Sequence, residues 1–118
     1  MGLLSIDQIL ENDDKEYKDV HIPAWGGSVR IASLTSAQRD EWEANFVKNK
    51  NKPEVALKQF RARLVGMCLV DEEGNRLVPE NKIGAFARKN AAVISELFEE
   101  CQRHNGFTDE DVAELEGK

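Results

Sequence analysis

The side chains in this chain that could do chemistry are few and scattered. Potential metal ligands are His21, Cys68, Cys101 and His104. Cys101 and His104 stand three residues apart on one helical face, a spacing that could share a metal ion. Structural zinc sites use two close ligand pairs, and no second pair exists here, so the two cysteines are expected to be buried free thiols and no metal is expected. The stretch Asp71-Glu72-Glu73-Gly74-Asn75 has the look of a calcium loop. With Asp71 at loop position 1, however, an EF-hand would need Gly at position 6 and Glu at 12, and this chain has Gly74 at 4 and Lys82 at 12.

Nucleophile and phosphate motifs are missing as well. Gly26-Gly27 lies between two β-branched runs and lacks both the G-x-G-x-x-G spacing and the P-loop Lys-Ser/Thr. A strand rather than a helix follows it, so the two glycines read as turn residues that accept the positive φ a hairpin needs. There is no G-x-S-x-G, and neither histidine stands in a triad context. The acids at 99–100 and 109–111 fall where a solvated face or a helix N-terminus would carry them. No catalytic residue and no cofactor can be proposed from these patterns.

The elements that must position these residues follow from periodicity and caps. Ser5 with Gln8 is a capping box, opening a short helix with Ile6, Ile9 and Leu10 on one face. Tyr17, Val20 and Ile22, then Val29, Ile31 and Leu34, flank the Gly-Gly turn and predict a small, peripheral β-hairpin over about 17–34. Pro23 must sit at an open edge or a strand end. Thr35 with Gln38 opens a helix over about 36–48, whose narrow apolar stripe is Trp42 and Phe46.

Residues 54–70 predict a helix apolar on two sides, with Leu57, Phe60, Leu64, Met67 and Cys68 on one and Val55, Ala62, Val65 and Leu69 nearly opposite. Such a helix lies at the centre of a fold. Residues 70–78 form a tight hairpin or a loop around Gly74. A short helix using Ile83 and Phe86 follows Pro79. A longer helix over about 90–104 starts at Asn90, carries Ala91, Ile94, Leu97, Phe98 and Cys101, and stops at Asn105-Gly106. A last short acidic helix is expected after Thr108. The expected fold is mainly α, of the α+β kind: one small helical domain of residues 1–118 with an N-terminal β-hairpin.

Composition narrows the function. The 118 residues are 41% hydrophobic and 32% charged, with 22 acids against 16 bases and a net charge of −6. Nucleic-acid binders draw most of their affinity from basic stripes, whereas the bases here are interleaved with acids outside the run at 48–52, so nucleic acid is not an expected partner. No apolar run approaches the ~18 residues of a membrane span. The N-terminus lacks the basic region of a signal peptide, and Ser5 falls one position short of the myristoylation pattern. The expected location is the cytoplasm of the cell that makes it, with no membrane partner.

What is left is surface chemistry. Trp25 at a hairpin tip, and Trp42 with Phe46 on a thin stripe, are large apolar groups that a small domain struggles to bury. Two readings stay open: the hairpin folds over the helix so that Trp25 packs on Trp42, or the three aromatics belong to a partner-binding surface.

The order of these features resembles a known family. "LSIDQIL", "VHIPAWGGSVRIASLTSAQRDEWE", "CLVDEEGNRLV" and "AAVISELFEECQRHNGFTDEDVAELEGK" together resemble tail assembly chaperones of long-tailed bacteriophages and prophages, over nearly the whole chain. The resemblance implies a protein that is not an enzyme and is not retained in the mature virion. It implies binding to the helical tape measure protein, keeping it soluble, and recruitment of tail tube protein around it, and it leaves self-association open. Many members also occur in a longer form made by a programmed frameshift near the 3′ end. Residues 116–118 are compatible with a slippery heptamer. The family supplies no residue-level binding motif to carry over. The alternative, from another class, is a structural virion component such as a head-tail connector or tail terminator.

Overall fold

A computed structural model describes residues 2–48, 51–52 and 59–107, with Phe46 placed by its backbone alone. Along these residues the chain runs α1 (Ile6–Glu11), β1 (Tyr17–Ile22), a 3-10 turn (Pro23–Trp25), β2 (Gly27–Ala32), α2 (Ser36–Lys48), α3 (Phe60–Cys68), β3 (Leu69–Val70), a second 3-10 turn (Glu80–Lys82), α4 (Ile83–Phe86) and α5 (Ala91–His104). The α+β class expected from the sequence is the one observed.

The hairpin forms because its turn residues fit their positions. Pro23 leads the 3-10 turn, where its missing N–H costs nothing. Gly26 takes φ +70° and donates its N–H to the Pro23 carbonyl at 3.1 Å, a conformation only glycine reaches without strain. The register runs from Tyr17 opposite Ala32 to Ile22 opposite Gly27. Val20 and Ile22 of β1 then share the core side with Val29 and Ile31 of β2. Asp19 and Arg30, directly opposed, form a bidentate pair at 2.7 and 3.1 Å on the other side.

Two sequence expectations change here. The sheet has three strands in the order β1-β2-β3, because Leu69 and Val70 leave the helix and pair antiparallel with Ile31 and Arg30. The open edge of β2 offers ladder hydrogen bonds, and two aliphatic residues leaving a helix can take them with both side chains buried. The helix expected to reach 70 therefore ends at Cys68. At its other end it starts at Phe60, after Gln59 with φ +61°, a left-handed residue that interrupts helical geometry. Residues 53–58, on which its first turns were expected, lie outside the described residues, as does the helix expected after Thr108. The second change concerns weight: the hairpin is no peripheral flap, since Ile22, Ile31 and Ala32 are almost wholly buried.

The centre is α3, as its two apolar sides require. Phe60, Leu64, Val65 and Cys68 are buried in the same cluster as Leu97, Phe98 and Cys101 of α5, with Ile83 of α4 and Trp42 of α2. Gly66 permits the approach of α4, because a Cβ there would come within 2.6 Å of Ile83 Cδ1. The capping boxes expected at α1 and α2 form: Ser5 with Gln8, and Thr35 with Gln38, each exchanging two hydrogen bonds of 2.8 to 3.2 Å; the one expected at Thr108 lies outside the described residues. Asn90 caps α5 through Ala92 N–H, and Gly106 at φ +71° follows its end.

Candidate partner-binding surface

Beyond the turn, the hairpin tip and the α4 segment leave a gap between them. Trp25 meets Phe86 edge to face, with ring centroids 6.3 Å apart and planes at 62°. Val29, Leu77 and Val78 continue the lining of a groove of about 560 Å³. Its walls are aliphatic and aromatic, and Leu77 is 48% exposed. The charged residues lining it are the exposed lysines Lys82 and Lys89, which with Phe86 follow helical spacing along one side. Among the described residues no acid lines the groove. It suits apolar side chains on a segment with negative flanks.

Of the three aromatics expected to form one surface, Trp25 and Trp42 lie apart. Trp25 is half-buried in the groove wall. Trp42 is 3% exposed, stacked on Phe107 at 5.6 Å with planes 9° apart and packed on Phe60 at 4.8 Å. Its indole N–H donates to the Phe60 carbonyl at 3.3 Å, so the polar end of the ring is satisfied inside the protein. Trp42 is thus a core residue and not part of an open surface, because Phe107, just past the end of α5, returns to cover it and Arg39 lies over Phe107 at 4.3 Å. The side chain of Phe46 lies outside the described residues. Nor does Trp25 pack on Trp42; its aromatic neighbour is Phe86.

Leu77, Phe86, Lys82 and Lys89 were not marked as site residues by sequence reasoning. The i, i+4, i+7 spacing of Lys82, Phe86 and Lys89 was the available signal. It carries no weight until Trp25, some sixty residues earlier, is brought beside Phe86.

The residues with potential ligand chemistry are engaged in holding the fold. Cys68 and Cys101 are both buried as free thiols, and the Cys68 hydrogen bond together with burial pushes the Cys101 thiol far up, holding it protonated. His104 Nε2 lies 3.0 Å from the Glu16 carbonyl, and His21 Nδ1 lies 3.5 Å from Ser28 Oγ. Asp71 Oδ1 accepts from the N–H groups of Glu73 and Asn75, both at 2.9 Å, and so builds its own turn. Glu100 is paired with Lys18 at 2.7 Å and with Arg103. Residues 109–111 are outside the described residues. Among the described residues, no three of His, Cys, Asp and Glu gather as metal ligands, and no helix is long and apolar enough to cross a membrane.

Among the described residues, a three-stranded antiparallel sheet backed by a buried central helix and the long helix α5 defines a small α+β domain with an open apolar groove. This architecture is that of a solved structure, the bacteriophage HK97 tail assembly chaperone, with a TM-score of 0.61 over 88% of this chain and 96% of that one. Sequence identity between the two is 14%, so the likeness is one of fold. The sequence matches no protein-family model and no curated protein.

Proposed function

We propose that this chain is a tail assembly chaperone: a non-enzymatic cytoplasmic protein that binds a tape measure protein through the Trp25–Phe86 groove, helps recruit tail tube subunits around it, and is not retained in the virion. The observation that carries this reading is the fold, shared with the HK97 chaperone along almost the full length of both chains. A tape measure client is a long helical protein that exposes apolar stripes before the tube covers them. An apolar groove with an aromatic wall receives such a stripe by the helix-in-groove mode. Trp25 is the natural anchor, since tryptophans in partly enclosed pockets concentrate binding energy. Many weak sites along one client would add through avidity, and a net charge of −6 favours solubility of the loaded complex.

The test is recovery of the N-terminally tagged protein from cells during tail assembly, with its partners identified by mass spectrometry. A large helical tail protein, together with a longer product sharing this N-terminus, is the expected set. In purified client, Trp25→Ala with Phe86→Ala should weaken binding at least about tenfold, or ~1.4 kcal/mol, while the circular dichroism spectrum is retained. Stoichiometric presence in purified particles would instead make the protein a virion component such as a connector or terminator.

A further inference from the structure

The border of the groove carries the charge opposite to that of the chain. The net charge of the protein is −6, yet among the described residues the charged side chains lining the groove are Lys82 and Lys89, both exposed. Neither has an ion-pair partner among the described residues. Glu80, two residues before Lys82, is held instead by Arg63 at 2.5 Å and Arg76 at 3.7 Å. Two cations thus stay uncompensated beside an apolar surface.

These lysines belong to one regular face. Residues 82, 85, 86 and 89 all line the groove, so a lysine stands at each end of a helical face with Ala85 and Phe86 between them. Turn hydrogen bonds run through the segment: Lys82 N–H donates to the Pro79 carbonyl at 2.9 Å, Ala87 N–H to that of Ile83 at 2.8 Å, and Lys89 N–H to that of Phe86 at 3.0 Å. At roughly 1.5–2.0 Å per residue for α and 3-10 turns, the two lysine positions stand about 10–14 Å apart. The groove also offers side chains rather than backbone. β2 lies between β1 and β3, and the Leu69 carbonyl of β3 already accepts from Leu77 N–H at 3.0 Å. An extended segment would find no continuous ladder to join, whereas a helix satisfies its own backbone and needs only side-chain contacts.

We propose that the client segment taken by this groove is an acidic amphipathic helix, with aliphatic residues on its buried stripe and Asp or Glu at positions i and i+7 along the margin. The inference rests on the client reading and adds the chemistry of the segment. Acids at i and i+7 of a helix lie about 10.5 Å apart, which matches the two lysines. The small, exposed Ala85 lets the client helix approach, while Trp25 and Phe86 meet its aliphatic side chains. The same lysines repel a helix with basic margins, so charge selects among apolar stripes that would otherwise bind alike.

Peptides test this on the full chain. Three labelled helices of ~22 residues, long enough to hold helix in water, share one Leu and Ile stripe and differ only at the two margin positions, which are Glu, Gln or Lys. By fluorescence anisotropy at low salt the Glu peptide should bind roughly tenfold more tightly than the Lys peptide, with Gln between, because two exposed pairs turn from attraction to repulsion. In ~0.5 M salt the spread should shrink. Lys82→Glu with Lys89→Glu should reverse the order while the circular dichroism spectrum is retained, since both side chains are exposed. Trp25→Ala with Phe86→Ala should weaken all three peptides. Equal binding of the three, an order unchanged in the lysine-reversed chain, binding untouched by loss of both aromatics, or no binding of the Glu peptide would each overturn the proposal. Recovery of the same tail protein by wild type and by the lysine-reversed chain alike would also overturn it and leave the client reading standing. A clear preference for the Glu peptide with no tail protein recovered from cells would keep the charge selection and remove the client reading.

Discussion

Asn105 carries more of the fold than its place at a helix end would indicate. Its Oδ1 accepts from Leu34 N–H at 2.7 Å, and its Nδ2 donates to the Cys101 carbonyl at 2.9 Å and faces Cys68 Sγ at 3.7 Å. One amide thus joins the exit of β2, the end of α5 and the buried thiol of α3. Asn105→Ala leaves a partly buried N–H and a helix-end carbonyl without these partners, so it should cost about 1–3 kcal/mol. Urea denaturation at neutral pH would read this as a lower midpoint with an unchanged slope. The helix stop was legible in Asn105-Gly106, because Gly106 supplies the left-handed residue that follows. The bond to Leu34 was not, since it spans 71 positions and depends on where β2 ends.

At the scale of elements, β1 and α5 are tied by one ion pair, and it gives the fold a pH signature. Lys18 meets Glu100 at 2.7 Å, with Arg103 on the same carboxylate. The Lys18 hydrogen bond, helped by the charges of Lys18 and Arg103 and opposed by partial burial, holds the Glu100 carboxyl below its ordinary value of 4.5. A group whose pKa falls on folding stabilises the native state above its unfolded pKa and loses that contribution as pH drops through the folded one. Glu100→Gln should therefore cost up to about 1 kcal/mol at pH 7, and the gap to wild type should narrow as pH falls from 4.5 through the lower folded pKa. Unfolding curves at pH 7 and pH 3 would show the gap and its narrowing. Caps made α1, α2 and α5 readable, since each depends on residues within one turn. The strand at Leu69–Val70 was unreadable for the opposite reason, as two residues take strand geometry only because β2 stands beside them.

For the whole molecule, the groove depends on two distant parts of the chain being brought together, with Trp25 of the hairpin tip on one side and Phe86 of α4 on the other. If a client occupies it, a saturating client segment should shift the fluorescence of the half-buried Trp25. Binding with no change in that signal would place the client elsewhere on the surface.

By itself, the sequence determined the α+β class, the capping boxes of α1 and α2, a hairpin turning at Gly26, the central position of α3 and the burial of both cysteines, while Gly27, expected in the turn, pairs with Ile22 as the first residue of β2. These rest on local periodicity, on φ preferences and on the need to bury apolar sides. Only the tertiary structure decided which aromatic faces outward. Trp42 and Trp25 look alike on a thin stripe and at a turn, but Phe107 closes over the first, while the second stands at a groove completed by Phe86 and Leu77. Exposure is a property of what arrives from elsewhere in the chain, and no local pattern records it.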